Sequence, residues 1–181
     1  MTAHMPAPTL GSLGLDALVN AGAEADPSAR VGGLEVDSRE VGETALFVAI
    51  PGTQVDGAEF VQYAVRQGAV AAIGTEAGAE TARRLSGRPP IPFFIVDNPR
   101  AELARLAPLV YPGQPETLVA VTGTNGKTST THFLRQFWQA AGRRAAAFGT
   151  TGVEGDGFEE PLSHTTPEPV TLHRLLAKLA D

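Results

Sequence analysis

The chain has no cysteine. A disulfide framework and any thiolate metal site are therefore excluded. Lysine is almost absent: Lys127 and Lys178 are the two in 181 residues. Long apolar runs are also missing. Runs such as Phe93-Phe94-Ile95-Val96 fall far short of the roughly 20 residues that a membrane-spanning helix needs. The N-terminus has no basic start followed by an apolar core, so no secretory signal is read and a soluble cytoplasmic protein is expected. No basic stripe stands out, and the net charge is −6. That balance argues against general nucleic-acid binding but leaves room for an anion held locally by backbone groups. Nothing in the chain fixes an oligomeric state.

Glycine and proline are plentiful, at 20 and 14 residues, and predict many turns. With 43% hydrophobic residues the chain can bury a sizeable core as one or two domains. The most informative stretch is Val121-Thr122-Gly123-Thr124-Asn125-Gly126-Lys127-Thr128-Ser129-Thr130-Thr131. The apolar run Leu118-Val119-Ala120-Val121 before it predicts a strand, and residues 132–141 after it predict a helix. A strand, a glycine loop and a helix N-terminus point backbone N–H groups at a polyphosphate, aided by the helix dipole. Gly123 and Gly126 permit a tight turn with no Cβ in the way. Lys127 is placed for the β- and γ-phosphates, and the Thr128 hydroxyl for Mg²⁺. Residues Gly123, Thr124, Asn125, Gly126, Lys127, Thr128 and Ser129 are the candidate ATP-binding set. One departure stands out: the general phosphate-loop pattern asks for glycine where Val121 stands. An ordinary glycine-rich turn is the alternative reading.

The wording Thr-Gly-Thr-Asn-Gly-Lys-Thr resembles the ATP loop of the Mur ligases and of the related folylpolyglutamate synthetases. The resemblance implies ATP and Mg²⁺ as cofactors, and a carboxylate activated as an acyl phosphate before amide formation. Lys127 would then be the catalytic residue that offsets developing charge.

Before the loop, the chain reads as a helix over 13–21, a turn at Asp26-Pro27-Ser28, and strands over 34–36 and 45–50. An α/β rhythm follows: an amphipathic helix carrying Phe60, Tyr63 and Ala64 and ending at Gly68, a strand over 70–73, a helix over 77–85, and a strand over 92–96. A last helix, capped by Asn98 with Pro99 in its first turn, runs to about 109. Tyr111-Pro112-Gly113-Gln114-Pro115 reads as a linker, giving domains over 1–112 and 113–181. After the linker, 118–149 is expected to form one βαβ unit. Glu154-Gly155-Asp156-Gly157 reads as a hairpin turn, since it lacks the spacing of a calcium loop. Residues 163–169 form a loop, and a leucine-rich helix begins at 170. About two strands follow the linker, fewer than a nucleotide-binding sheet needs. The fold class is α/β, with a small N-terminal domain and the start of a phosphate-loop domain that looks cut short.

Val36-Asp37-Ser38-Arg39 and Leu46-Phe47-Val48-Ala49-Ile50-Pro51-Gly52-Thr53-Gln54-Val55-Asp56-Gly57 resemble the UDP-sugar-binding domain found in Mur ligases. The resemblance implies that Val36, Ser38, Thr53, Gln54 and Val55 contact a UDP-muramoyl substrate. By themselves Asp37 and Ser38 equally suit a plain turn. Gly149-Thr150-Thr151-Gly152 and Thr165-Thr166-Pro167-Glu168-Pro169 resemble the MurE branch of the family. The MurF branch has an Asn-rich loop there. In that match Thr165 and Thr166 bind the muramoyl-dipeptide, while His164 stands where many members have Asn. His132 and His173 lie on helices and read as structural. The implied partners are UDP-MurNAc-L-Ala-D-Glu and a diamino acid of unspecified identity. The implied place is peptidoglycan precursor synthesis. A binding module that holds UDP-sugar without turnover is the competing class, and a MurF-like ligase a third. The resemblance covers only the first third or so of such an enzyme.

Overall fold

A computed structural model describes residues 6–149, 152–162 and 167–180. The chain divides into two compact units, Met1–Pro112 and Gly113–Asp181.

The first unit is built on four parallel strands in sequential order: β1 (Gly33–Glu35), β2 (Ala45–Val48), β3 (Ala71–Gly74) and β4 (Phe93–Ile95). Helix α1 (Val61–Gln67) joins β2 to β3, and α2 (Glu76–Ser86) joins β3 to β4. Helix α3 (Pro99–Val110) follows β4. Every residue of β2 and β3 is buried. That is why they read as unbroken apolar runs: a parallel sheet covered on both faces has no solvent side to alternate with. Ala45, Phe47 and Ala49 point to one face, with Ala72 and Phe93 of the neighbouring strands. Ala58, Val61, Ala64, Ala79 and Ala82 from the α1 and α2 side meet them. These small residues let the helices approach the sheet, while Phe47 and Phe93 fill the space between. Phe47, Phe93 and Phe94 are fully buried, each contributing about 2–3 kcal/mol by area.

Local signals set the helix ends. Thr75 accepts from the Gly78 N–H at 3.0 Å and caps α2. Asn98 accepts from the Ala101 N–H at 3.1 Å, with Pro99 in the first turn of α3. Gly68 ends α1 at φ 108°. The turn read at 26–28 is present, with the Asp26 carboxylate accepting from the Ser28 N–H at 2.8 Å.

The helix expected over 13–21 shrinks to a single 3-10 turn, Leu15–Ala17. Gly14 precedes that turn at φ 74°, and Leu18 after it is extended. The chain then runs beside β4 instead: the Ile95 N–H donates to Val19 O, and the Ala21 N–H to Phe93 O. Sheet-edge groups of β4 thus claim a segment whose leucine spacing suited a helix.

Residues 111–126 form neither helix nor strand. The second unit then holds α4 (Lys127–Ala140), the antiparallel strands β5 (Ala147–Gly149), β6 (Gly152–Gly155) and β7 (Phe158–Glu160), and α5 (Pro169–Ala180). The expected hairpin is present: Gly155 pairs with Phe158 around Asp156-Gly157, with Gly157 at φ 72°. The expected strand at 118–121 is not. Leu118 and Val119 are exposed, and no strand pairs with them among the described residues. A strand exists only through its neighbours' hydrogen bonds, so an apolar run without a partner ladder stays irregular. Of the expected βαβ unit over 118–149 the helix, α4, and the closing strand, β5, are present, but β5 pairs antiparallel with β6 instead of lying parallel to a strand at 118–121. Trp138, the one tryptophan of the chain, lines a groove of about 500 Å³ on this unit, with Leu134, Leu176 and Leu179. Among the described residues no helix is long and apolar enough to cross a membrane.

Candidate substrate cleft and phosphate loop

In the first unit, β1 ends at Glu35 and the chain turns through Val36-Asp37-Ser38-Arg39. The Asp37 carboxylate accepts from the Arg39 backbone N–H at 2.9 Å and from the Arg39 guanidinium. These bonds to Arg39 hold the Asp37 carboxyl below its ordinary range, at about 2. Ser38 lies between the pair in sequence and is 8% exposed. Among the described residues of this unit it is the one buried polar side chain.

A second turn faces the first. The Pro51–Asp56 bridge and the Gly52 N–H to Val55 O bond close a small loop over 51–56. Asp56 then accepts from the Ala58 N–H at 2.9 Å and caps the 3-10 turn Gly57–Phe60. Gly57 is required there: a Cβ would sit 2.8 Å from both Ile50 N and Ile50 O. Between the two turns lies an open cleft of about 750 Å³. Val36, Ser38 and Val55 of the sequence-derived set line it. Thr53 and Gln54 are exposed residues of the same 51–56 loop, but they are not among the lining residues. Phe60, Tyr63 and Arg39 line the cleft as well. The first two were read only as the apolar face of a helix.

In the second unit the phosphate loop has the backbone the glycines allow. Gly123 lies at φ 148° and Gly126 at φ 77°, both in the region that favours glycine. Helix α4 begins at Lys127 directly after the loop. Gly126 gives it no side-chain cap, and its first turn has no acidic residue. The first-turn N–H groups and the positive dipole end are thus offered to an anion from outside. The Lys127 Nζ donates to Gly123 O at 2.6 Å, so the ammonium lies over the loop itself. Thr128 sits close to the end of β5: a Cβ at Gly149 would lie 3.9 Å from its Cγ2. Thr124, Asn125 and Ser129 are exposed around this N-terminus. The residues present therefore fit a polyphosphate. Thr165, Thr166 and His164 lie outside the described residues. His132 comes within 3.6 Å of the Glu154 carboxylate, to which Arg135 also bonds at 3.2 Å. Both contacts tie α4 to β6, in keeping with a structural histidine.

Family models match stretches in both units. The model of the Mur ligase family catalytic domain matches residues 30–111, and that of the Mur ligase middle domain matches residues 121–181. The UDP-N-acetylmuramoyl-L-alanyl-D-glutamate–2,6-diaminopimelate ligase of Agrobacterium fabrum is 47% identical over 151 residues, which are 83% of this chain and 29% of that protein. The ligase of the same name from Synechococcus elongatus is 40% identical over 82% of this chain and 30% of that one. A solved structure bearing that ligase name superposes with a TM-score of 0.64 over 90% of this chain and 34% of the other, at 24% identity, which shows the shared fold. This chain spans about 30% of the length of the relatives it matches. Motif, fold and relatives converge, and the chain belongs to the Mur ligase family.

Proposed function

We propose that these two units are the UDP-substrate-binding part and the phosphate-loop part of an ATP-dependent amide-forming ligase of peptidoglycan precursor synthesis. The substrate would be UDP-MurNAc-L-Ala-D-Glu. The incoming amine would be 2,6-diaminopimelate, the amino acid in the names of the relatives. The observation that carries the reading is the uncapped α4 N-terminus behind two positive-φ glycines, with Lys127 lying over the loop.

Residues 123–129 would hold the ATP phosphates, and the Thr128 hydroxyl would face Mg²⁺. ATP supplies activation of the substrate carboxylate. The chain's own contribution is positional: the loop N–H groups orient the phosphates, and Lys127 places a cation where negative charge accumulates. Lys178, the other lysine, bonds the Glu160 carboxylate at 3.0 Å and is tied to β7. In the first unit, Val36, Ser38 and the 53–55 loop would hold the UDP moiety, with the Ser38 hydroxyl as a fixed polar contact. On its own the 181-residue chain should bind without turnover, because α4 has no buried residue to hold the loop rigid.

Calorimetric titration tests this. UDP-MurNAc-L-Ala-D-Glu should bind, and Ser38→Ala should weaken it about tenfold, the loss of one well-placed hydrogen bond. Mg·ATP should bind more weakly, and Lys127→Ala should remove that binding while leaving the UDP substrate's affinity unchanged. In a longer ligase carrying this sequence, Lys127→Ala should cost at least ~100-fold in turnover. Absence of UDP-substrate binding, or ATP binding indifferent to Lys127, would overturn the reading.

A further inference from the structure

The cleft of the first unit has a wall that the contacts above leave unassigned. Phe60 closes the 3-10 turn Gly57–Phe60, and Tyr63 stands three residues on, in the first turn of α1. The spacing puts both rings on one side of a continuous helical stretch. Both line the cleft. They are 46% and 42% exposed, while the same stretch sends Ala58, Val61 and Ala64 into the core. The stretch thus has its packing face without them, and the rings stand as apolar surface open to solvent. Arg39 lies on the same cleft, fixed by Nε and Nη2 to Asp37. It is held above the ordinary arginine range, first by its hydrogen bond and charge pairing with Asp37, and in smaller part by Glu40 and Tyr63. One cleft presents two flat rings, one fixed cation and one buried hydroxyl. A flat heterocycle joined to an anion matches that set, because rings stack on bases whatever their edge pattern and a guanidinium meets phosphate.

We propose that Tyr63 and Phe60 are positioning residues that form the face against which the uracil ring of the nucleotide stacks. The inference rests on the assignment of this cleft to the UDP substrate, and adds the residues that orient its base.

The test is titration of the 181-residue chain with uridine 5′-diphosphate, by calorimetry and by proton NMR of the uracil H5 and H6 signals. Stacking should move those signals upfield in the wild-type complex. Tyr63→Ala and Tyr63→Leu should each weaken binding about tenfold and abolish the upfield shift, and Phe60→Ala should do the same in smaller measure. Tyr63→Phe should keep both affinity and shift, since the ring rather than the hydroxyl makes the contact. Tyr63→Leu keeps apolar area on α1, so a loss there separates stacking from helix stability. Wild-type binding with variants within twofold of it would overturn the stacking role and leave the cleft assignment standing. No binding by the wild-type chain would overturn both.

Discussion

The two units treat apolar surface differently. In the first, β2 and β3 are buried at every position and helices supply matching small residues on the covering face. In the second, α4 has no buried residue in fourteen. Phe133 and Phe137 on it are 58% and 70% exposed, and Leu118 and Val119 ahead of the loop are exposed too. The first unit closes its own core. Its exposed apolar side chains, Phe60 and Tyr63 among them, surround that core, whereas the second unit leaves a whole helix, α4, without a buried residue, next to the loop that would bind ATP. Helices in proteins draw most of their stability from packing, so the second unit should be the softer of the two.

That contrast can be broken or sharpened experimentally. The largest difference should appear in limited proteolysis. Segment 111–126 has no helix or strand, so it opens at almost no cost, whereas cutting within β2 or β3 requires global unfolding. Cleavage at 111–126 should be faster by orders of magnitude and leave a stable fragment of about the first 110 residues. Early cuts between 60 and 100 would count against an autonomous first unit.

Next comes a matched pair of phenylalanines. Phe47→Ala empties a site that is 1% exposed and should cost about 3–5 kcal/mol in chemical denaturation. Phe137→Ala, at a site 70% exposed, should change stability by less than about 0.5 kcal/mol. Equal effects would erase the contrast.

A smaller change targets the end of the first unit. The Tyr111 hydroxyl accepts from the Leu34 N–H on β1 at 2.9 Å. Tyr111→Phe should lower the first unit's stability by about 1 kcal/mol, read from its denaturation midpoint, and leave the second unit's unchanged.

The smallest effect concerns pH. The folded Asp37 carboxyl sits near 2 because Arg39 binds it, below the usual unfolded value of about 3.9. The contribution is therefore complete above about pH 4 and fades as pH falls towards 2. The Arg39 side chain is 80% exposed, so solvent screens the pair. Asp37→Asn should shift the neutral-pH melting temperature by no more than about 2 °C, and the difference from wild type should vanish in acid.

Much of the first unit was legible because its signals are local. Unbroken apolar runs marked β2 and β3, and Asn98-Pro99 and Gly68 marked helix ends. The backbone of the 123–126 loop was legible for the same reason: Gly123 and Gly126 take the positive φ that a tight turn before a helix requires, and α4 starts directly after them. What depended on distant partners was not. Leu118 to Val121 has strand composition but no ladder, and residues 19–21 were claimed by the edge of β4. Phe60 and Tyr63 were visible as an apolar helical face. Only the folded chain shows that Val61 and Ala64 take the core side and leave the rings on the cleft.

Trp138 gives this division a practical use. The chain's one tryptophan lies on α4 in the second unit, and both tyrosines, Tyr63 and Tyr111, lie in the first. Indole emission excited at the red edge therefore reports the second unit alone, and the tyrosine bands resolved in second-derivative absorbance report the first. A single thermal scan can follow two melting events without any label. Energy transfer from tyrosine to Trp138 would then gauge the separation of the two units in solution, with and without nucleotide.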